Sequence, residues 1–173
     1  MNDADSQSSS SRQNAAHAIL ALPDEVGGTA WDYMQDEPLP HDCFLWVDMN
    51  EDTETIVERW NTLVADGDTL TFLRTNAGNM DEMSETFAYG GKELDIPFAY
   101  ERGDAMIAVV TLNQLVKNDA ELRLCSASSG SSELAFLALS PAAWKQLESE
   151  FGCDAVTKRF RVLTANAYES GLL

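Results

Sequence analysis

Residues 43–73 constrain the fold more than any other stretch. Cys43 to Met49 is a short, almost wholly apolar run bounded by turn residues, which reads as a buried strand. Asn50 is placed to cap a helix, with Glu51, Asp52 and Glu54 in the first turn, where carboxylates favour the helix dipole. Ile56, Val57, Trp60, Leu63 and Val64 then recur at helical spacing on one face. Asp66 and Gly67 end the run, because glycine accepts the left-handed C′ position. Thr69 to Leu73, rich in β-branched and aromatic residues, reads as the next strand. Strand, helix, strand at these lengths predicts a βαβ unit, whose strands run parallel if they share a sheet.

The expected architecture is mixed α/β (α+β): a single sheet holding that βαβ unit and a C-terminal β-hairpin, with helices packed on it. Residues 1–11 are polar and Ser-rich and are expected to form a disordered tail. Residues 12–173 then make one α/β domain, a length that a single core can serve. Helix formers run from Arg12 to Leu22 and stop at Pro23, and Pro38 with Pro40 forces an extended turn. Arg74 to Lys92 is polar and contains Gly, so it reads as a long loop, functional or hiding a short element. Leu94 to Tyr100 reads as a strand that Pro97 confines to an edge or bulge.

Asp104 can cap a helix to Lys117 with Val109, Leu112 and Val116 inward, although the β-branched Val109–Val110–Thr111 run also suits a strand. Glu121 to Ser126 and Glu133 to Leu139 form the predicted hairpin, joined by the flexible Ser/Gly-rich stretch Ala127 to Ser132. Ser140 caps a helix opening on Pro141, with Trp144, Leu147 and Phe151 as its stripe and Gly152 as its stop. A last helix or turn covers Ala155 to Val162.

Charge narrows the partners. The 173 residues carry 11 Lys and Arg against 29 Asp and Glu, a formal charge of −18. Residues 1–101 hold 21 acids and 4 bases (−17), whereas residues 102–173 hold 8 acids and 7 bases (−1). Nucleic-acid backbones and anionic membranes call for Lys and Arg, so neither is an expected direct partner. A basic protein surface is, because one-signed faces steer encounter and raise association rates. The expected face comprises Asp48, Glu51, Asp52, Glu54, Asp66, Asp68, Asp81, Glu82 and Glu85. Ordinary solvation of helices and loops is the plainer account of the same charge.

Catalytic chemistry finds little support. Asp48, Asn50, Asp52 and Glu54 imitate early ligands of an EF-hand, but Thr53 stands where the turn needs Gly and Arg59 where a bidentate Glu closes the site. His17 and His41 are too few for a His-rich zinc set, and no metal or cofactor is expected. His41 and Cys43 would share a strand face, yet nothing electropositive beside them in sequence would lower the thiol pKa. Cys43, Cys125 and Cys153 are widely spaced with no CxxC pair, and the start carries neither a basic segment nor a long apolar run. A cytoplasmic chain with reduced thiols is the expectation. Walker, Rossmann and nucleophile-elbow motifs are absent, so no catalytic residue is assigned. Ser128 to Ser132 could meet an anion with backbone amides, but a hairpin tip is the ordinary account.

Two stretches carry a resemblance. One is Leu122-Arg123-Leu124-Cys125, Gly130, Leu134-Ala135-Phe136-Leu137, Leu139, Trp144, Leu147-Glu148 and Phe151-Gly152; the other is Trp46-Val47-Asp48 before an acidic helix. Together they resemble small, acidic, uncharacterised bacterial α/β domains, some of them similar to immunity proteins for antibacterial toxins. The resemblance spans Cys43 to Gly152, rests on packing residues and implies no catalytic assignment. The expected function is therefore a non-enzymatic acidic binding protein engaging a basic protein partner, most concretely a toxin-immunity or inhibitor protein. One alternative is a nucleic-acid mimic with carboxylates arrayed like phosphates. The other is a hydrolase using carboxylates in the 74–92 loop.

Overall fold

The segment Glu133–Leu139, ELAFLAL, is buried at every position after its first, so it belongs where both faces of a sheet are covered. A computed structural model, which describes residues 3–22, 41–64, 68–76, 83–97 and 104–164, places it there. The elements in chain order are α1 (Asp3–Leu20), β1 (Leu45–Asp48), α2 (Thr53–Leu63), β2 (Thr71–Asn76), β3 (Met83–Tyr89) and β4 (Lys92–Ile96). Then follow α3 (Asp104–Val116), β5 (Glu121–Cys125), β6 (Glu133–Leu139), α4 (Pro141–Phe151), α5 (Cys153–Arg159) and β7 (Phe160–Val162). The strands form a four-stranded sheet of order β1-β6-β5-β7 and a three-stranded sheet of order β2-β3-β4. Every pairing in both is antiparallel.

Side-chain alternation along β6 feeds two cores. Leu134, Phe136 and Ala138 enter the larger core, with Leu45, Val47, Leu122 and Leu124 from the same sheet. That core is completed by Ile56, Val57, Trp60 and Leu63 of α2, by α3, and by Phe87, Tyr89 and Ile96 of the three-stranded sheet. Ala135, Leu137 and Leu139 point the other way, onto Ala15, Ala16 and Ile19 of α1, Trp144 and Leu147 of α4, and Val156 of α5. α3 is apolar nearly all round, with Ala105, Met106, Ala108, Val109, Leu112, Leu115 and Val116 all buried, as a helix held within a core requires.

Several expectations need correction. β1 and β2 lie in different sheets, so residues 43–73 do not make a parallel βαβ unit, and there are two sheets rather than one. The reason is side-chain chemistry: β2 places Thr71, Leu73 and Thr75 on an exposed face, whereas the strands of a doubly covered sheet are mostly apolar on both faces. The 74–92 stretch is not one loop. It holds the end of β2, all of β3, and a two-residue turn at Gly90 and Gly91, whose φ of 55° and 74° suit the mirror-image turn of a tight hairpin. The strand expected at Leu94–Tyr100 starts earlier, at Lys92, and ends at Ile96 just before Pro97.

The N-cap of α2 is Asp52 rather than Asn50, its side chain accepting from the Thr55 N–H. α1 begins at Asp3, within the stretch expected as a tail. The connection after β5 is held by buried Ser128, whose hydroxyl donates to the Cys125 carbonyl (2.8 Å) and accepts from the Ala135 N–H (2.9 Å). α4 opens on Pro141 behind the Ser140 cap. Pro23, Pro38, Pro40, Asp66, Gly67, Asp81 and Glu82 lie outside the described residues.

Candidate functional site

Of the nominated acidic residues, Asp48, Glu51, Asp52, Glu54 and Glu85 come together at the N-terminus of α2, where most of them serve the fold. β1 is an edge strand, and the main-chain groups of Trp46 and Asp48 on its open side find side-chain partners. Arg59 Nη1 donates to the Trp46 carbonyl (2.6 Å), and the Asp48 N–H donates to Glu51 Oε2 (3.3 Å). Arg59 Nη2 and Glu51 Oε1 are themselves paired at 2.7 Å, so the two side chains form one plug over the strand edge. Asp48 Oδ1 accepts from the Asn50 N–H (2.7 Å) and side-chain amide (3.2 Å), which fixes the turn into α2. Asp52 caps the helix, its Oδ1 accepting from the Thr55 N–H and hydroxyl, each at 2.8 Å. Those bonds favour the ionised carboxylate and hold the Asp52 carboxyl below its usual range, with Arg74 nearby adding to the effect.

Among the described members of the set, Glu85 is the one that is buried, at 4% exposed. Arg74 meets its Oε1 through Nε (2.7 Å) and Nη2 (2.6 Å), and the Thr53 hydroxyl donates to Oε2 (2.7 Å). This pair ties β2 to β3, where Arg74 and Glu85 face each other in register, and joins both to the start of α2. A carboxylate so fully occupied is a structural group rather than a free general acid or base. The hydrolase reading therefore loses its most enclosed candidate.

Asp68 is not part of this group. It precedes β2, lies against Gly90 of the β3–β4 turn, and with Asp119 raises the Tyr89 phenol, which burial has already pushed up. Asn61 bonds the Leu70 N–H and carbonyl, both at 2.8 Å, which puts that end of β2 beside the last turns of α2. Asp68 and the Asp52 cluster are thus near opposite ends of a helix about 16 Å long. The exposed acids that remain near α2 are Asp52 and Glu54, together with Glu58, which the sequence reading passed over. Its signal was the four-residue spacing from Glu54, a like-charge pair that costs a helix a few tenths of a kcal/mol.

Elsewhere, buried Arg123 sits between Glu121 and Glu148, each at 2.7 Å, with its guanidinium 4.3 Å from the Trp144 ring centroid. Trp144 Nε1 in turn donates to the Glu121 carbonyl (2.8 Å), so this group locks α4 onto β5. Cys43 and Cys125 are buried and Cys153 is exposed. Burial pushes the Cys125 thiol up to about 11. Arg12 favours the Cys43 thiolate, but burial and then Asp42 outweigh it, so the thiol titrates above its ordinary value and is not lowered. Arg12 Nη1 also donates to the Leu63 carbonyl (2.7 Å), a cation at the C-terminus of α2.

An open hollow of about 480 Å³ is lined by Phe151, Gly152, Cys153, Asp154, Ala155 and Lys158. Among the described residues no group of three His, Cys, Asp or Glu side chains is placed to hold a metal ion, and no helix is long and apolar enough to cross a membrane. No family model, curated protein or solved structure matches the chain.

Proposed function

We propose that the protein is an acidic binding module that engages a basic protein surface, acting in the manner of an inhibitor or toxin-immunity protein. The observation that carries this reading is the charge split: −17 over residues 1–101 against −1 over residues 102–173. Two of the four bases already counted in that figure, Arg59 and Arg74, are paired with Glu51 and Glu85. What remains around α2 is Asp52, Glu54 and Glu58 on the exposed surface, with Asp68 beyond its far end. Glu54 and Glu58 lie at i,i+4 and neither forms part of a core, so both carboxylates face solvent where an external cation can reach them. The described members of the nominated set divide between the two ends of α2, and several are ion-paired or capping. That suits a local protein contact better than a continuous row imitating phosphates.

The test is capture of partners by the full chain at low salt, with release at high salt. A Glu54→Lys/Glu58→Lys double variant is expected to slow association about tenfold and to flatten the salt dependence. Unchanged association and salt response would remove these residues from the contact.

A further inference from the structure

Each sheet edge but one is closed or short. The open side of β1 is plugged by Arg59 and Glu51. β7 has three residues. β4 carries Lys92, Glu93 and Asp95 and stops before Pro97, the charges and proline that keep an edge from pairing. β2 (TFLRTN) has no Lys, no Pro and no bulge, and its register with β3 runs unbroken from Thr71↔Ala88 to Asn76↔Met83. Among the described residues no strand pairs with its other side. Thr71, Leu73, Arg74 and Thr75 are exposed, and Leu73, at 62%, is the most exposed large apolar side chain among the described residues. A flat, regular edge of this kind is a template for another strand.

The charge around that edge specifies what would bind. Exposed Asp68 stands before β2, and Asp52 acts on Arg74 near its other end. α2 runs alongside, bonded through Asn61 to Leu70 and through Thr53 to Glu85, and it bears exposed Glu54 and Glu58. Exposed Glu93 and Asp95 lie with exposed Lys92 on β4, the far edge of the same sheet. Of the cationic groups here, Arg74 is already paired with Glu85.

We propose that β2 is a docking strand, and that an extended, Lys- or Arg-bearing segment of the partner adds to it as a fourth strand of the three-stranded sheet. This rests on the reading of a basic partner given above. Main-chain bonds along β2 would give the affinity, Leu73 would meet an apolar side chain of the segment, and the surrounding carboxylates would select its basic residues.

The test uses the full chain, synthetic peptides and amide hydrogen exchange. One peptide alternates Lys and Val and is long enough to span β2. A second is the same peptide N-methylated at alternate residues, which keeps its charge but removes its pairing groups; a third replaces Lys by Glu. The Lys peptide is expected to slow exchange within residues 71–76 at least about tenfold, with N-methylation weakening binding by a similar factor. Salt-sensitive binding that ignores N-methylation and leaves residues 71–76 unprotected would overturn the strand and leave the charge reading standing. Equal binding of the Lys and Glu peptides would overturn the basic occupant. Concentration-dependent protection of residues 71–76 without peptide would assign the edge to a second copy of this chain, and no binding by any peptide would remove the docking strand altogether.

Discussion

The two sheets are built from strands of similar length and identical direction of pairing, yet they live in different surroundings. The four-stranded sheet is covered on both faces, and its edge at β1 is closed by Arg59 of α2 and by Glu51 just before that helix. The three-stranded sheet is covered on one face by Phe87, Tyr89 and Ile96, while Thr71, Leu73 and Thr75 of β2 face water. Among the described residues the first sheet offers only the three-residue edge β7. The second retains polar positions, an unpaired strand and neighbouring carboxylates. Covering one face rather than two separates the part of the molecule that supplies stability from the part available for contact.

That contrast can be broken most sharply in the packing. Phe136→Ala, at a fully buried position on β6, is expected to cost about 4 kcal/mol, whereas Leu73→Ala on the wet face is expected to stay within about 0.5 kcal/mol. Urea denaturation of both variants measures this, and similar losses would mean that Leu73 is covered after all.

Ion pairs give a second, smaller comparison. Arg74→Met leaves Glu85, whose side chain is 5% exposed, without its cation and is expected to cost about 3 kcal/mol. Arg123→Met leaves Glu121 and Glu148, each 26% exposed, and about 2 kcal/mol is expected because water can take over part of the solvation. Thermal unfolding of the two variants checks the order. Here the three-stranded sheet is the more vulnerable, so its wet face does not mean a weak interior.

The smallest effect belongs to the helix that bridges the sheets. Asp52→Ala removes the N-cap of α2 and is expected to cost about 1 kcal/mol near neutral pH. Because the folded carboxyl titrates below its usual range, the part of this contribution that depends on ionisation is complete above the unfolded pKa of about 4 and is lost as pH falls through the folded value. The stability gap between the parent and Asp52→Ala should therefore narrow in acid. Asp52→Asn, which caps without titrating, should show no such change in its own contribution. Denaturation at a series of pH values reads both.

What the sequence disclosed follows the same division. β6 and α4 were legible because their signals are local: an unbroken apolar run, then Ser140, Pro141, a regular stripe and Gly152. β3 was not, because a strand with one wet face alternates Ser84, Thr86 and Ala88 with Glu85, Phe87 and Tyr89 and so resembles a polar loop. The pair Gly90 and Gly91 between such alternating stretches was the available clue to a hairpin. The βαβ reading failed because lengths alone do not say which sheet a strand joins. The acidic face was legible in composition but not in role, since only three-dimensional neighbours show that Glu51 faces Arg59 and Glu85 faces Arg74.

The alternation along β6 has a consequence for cooperativity. Consecutive residues of one strand, Ala135 and Phe136, are anchored in separate cores on opposite sides of the same sheet. Neither core can come apart without displacing the strand that the other depends on. The helices α1, α4 and α5 and the helices α2 and α3 are thereby joined into one unfolding unit, even though the two groups share no apolar cluster.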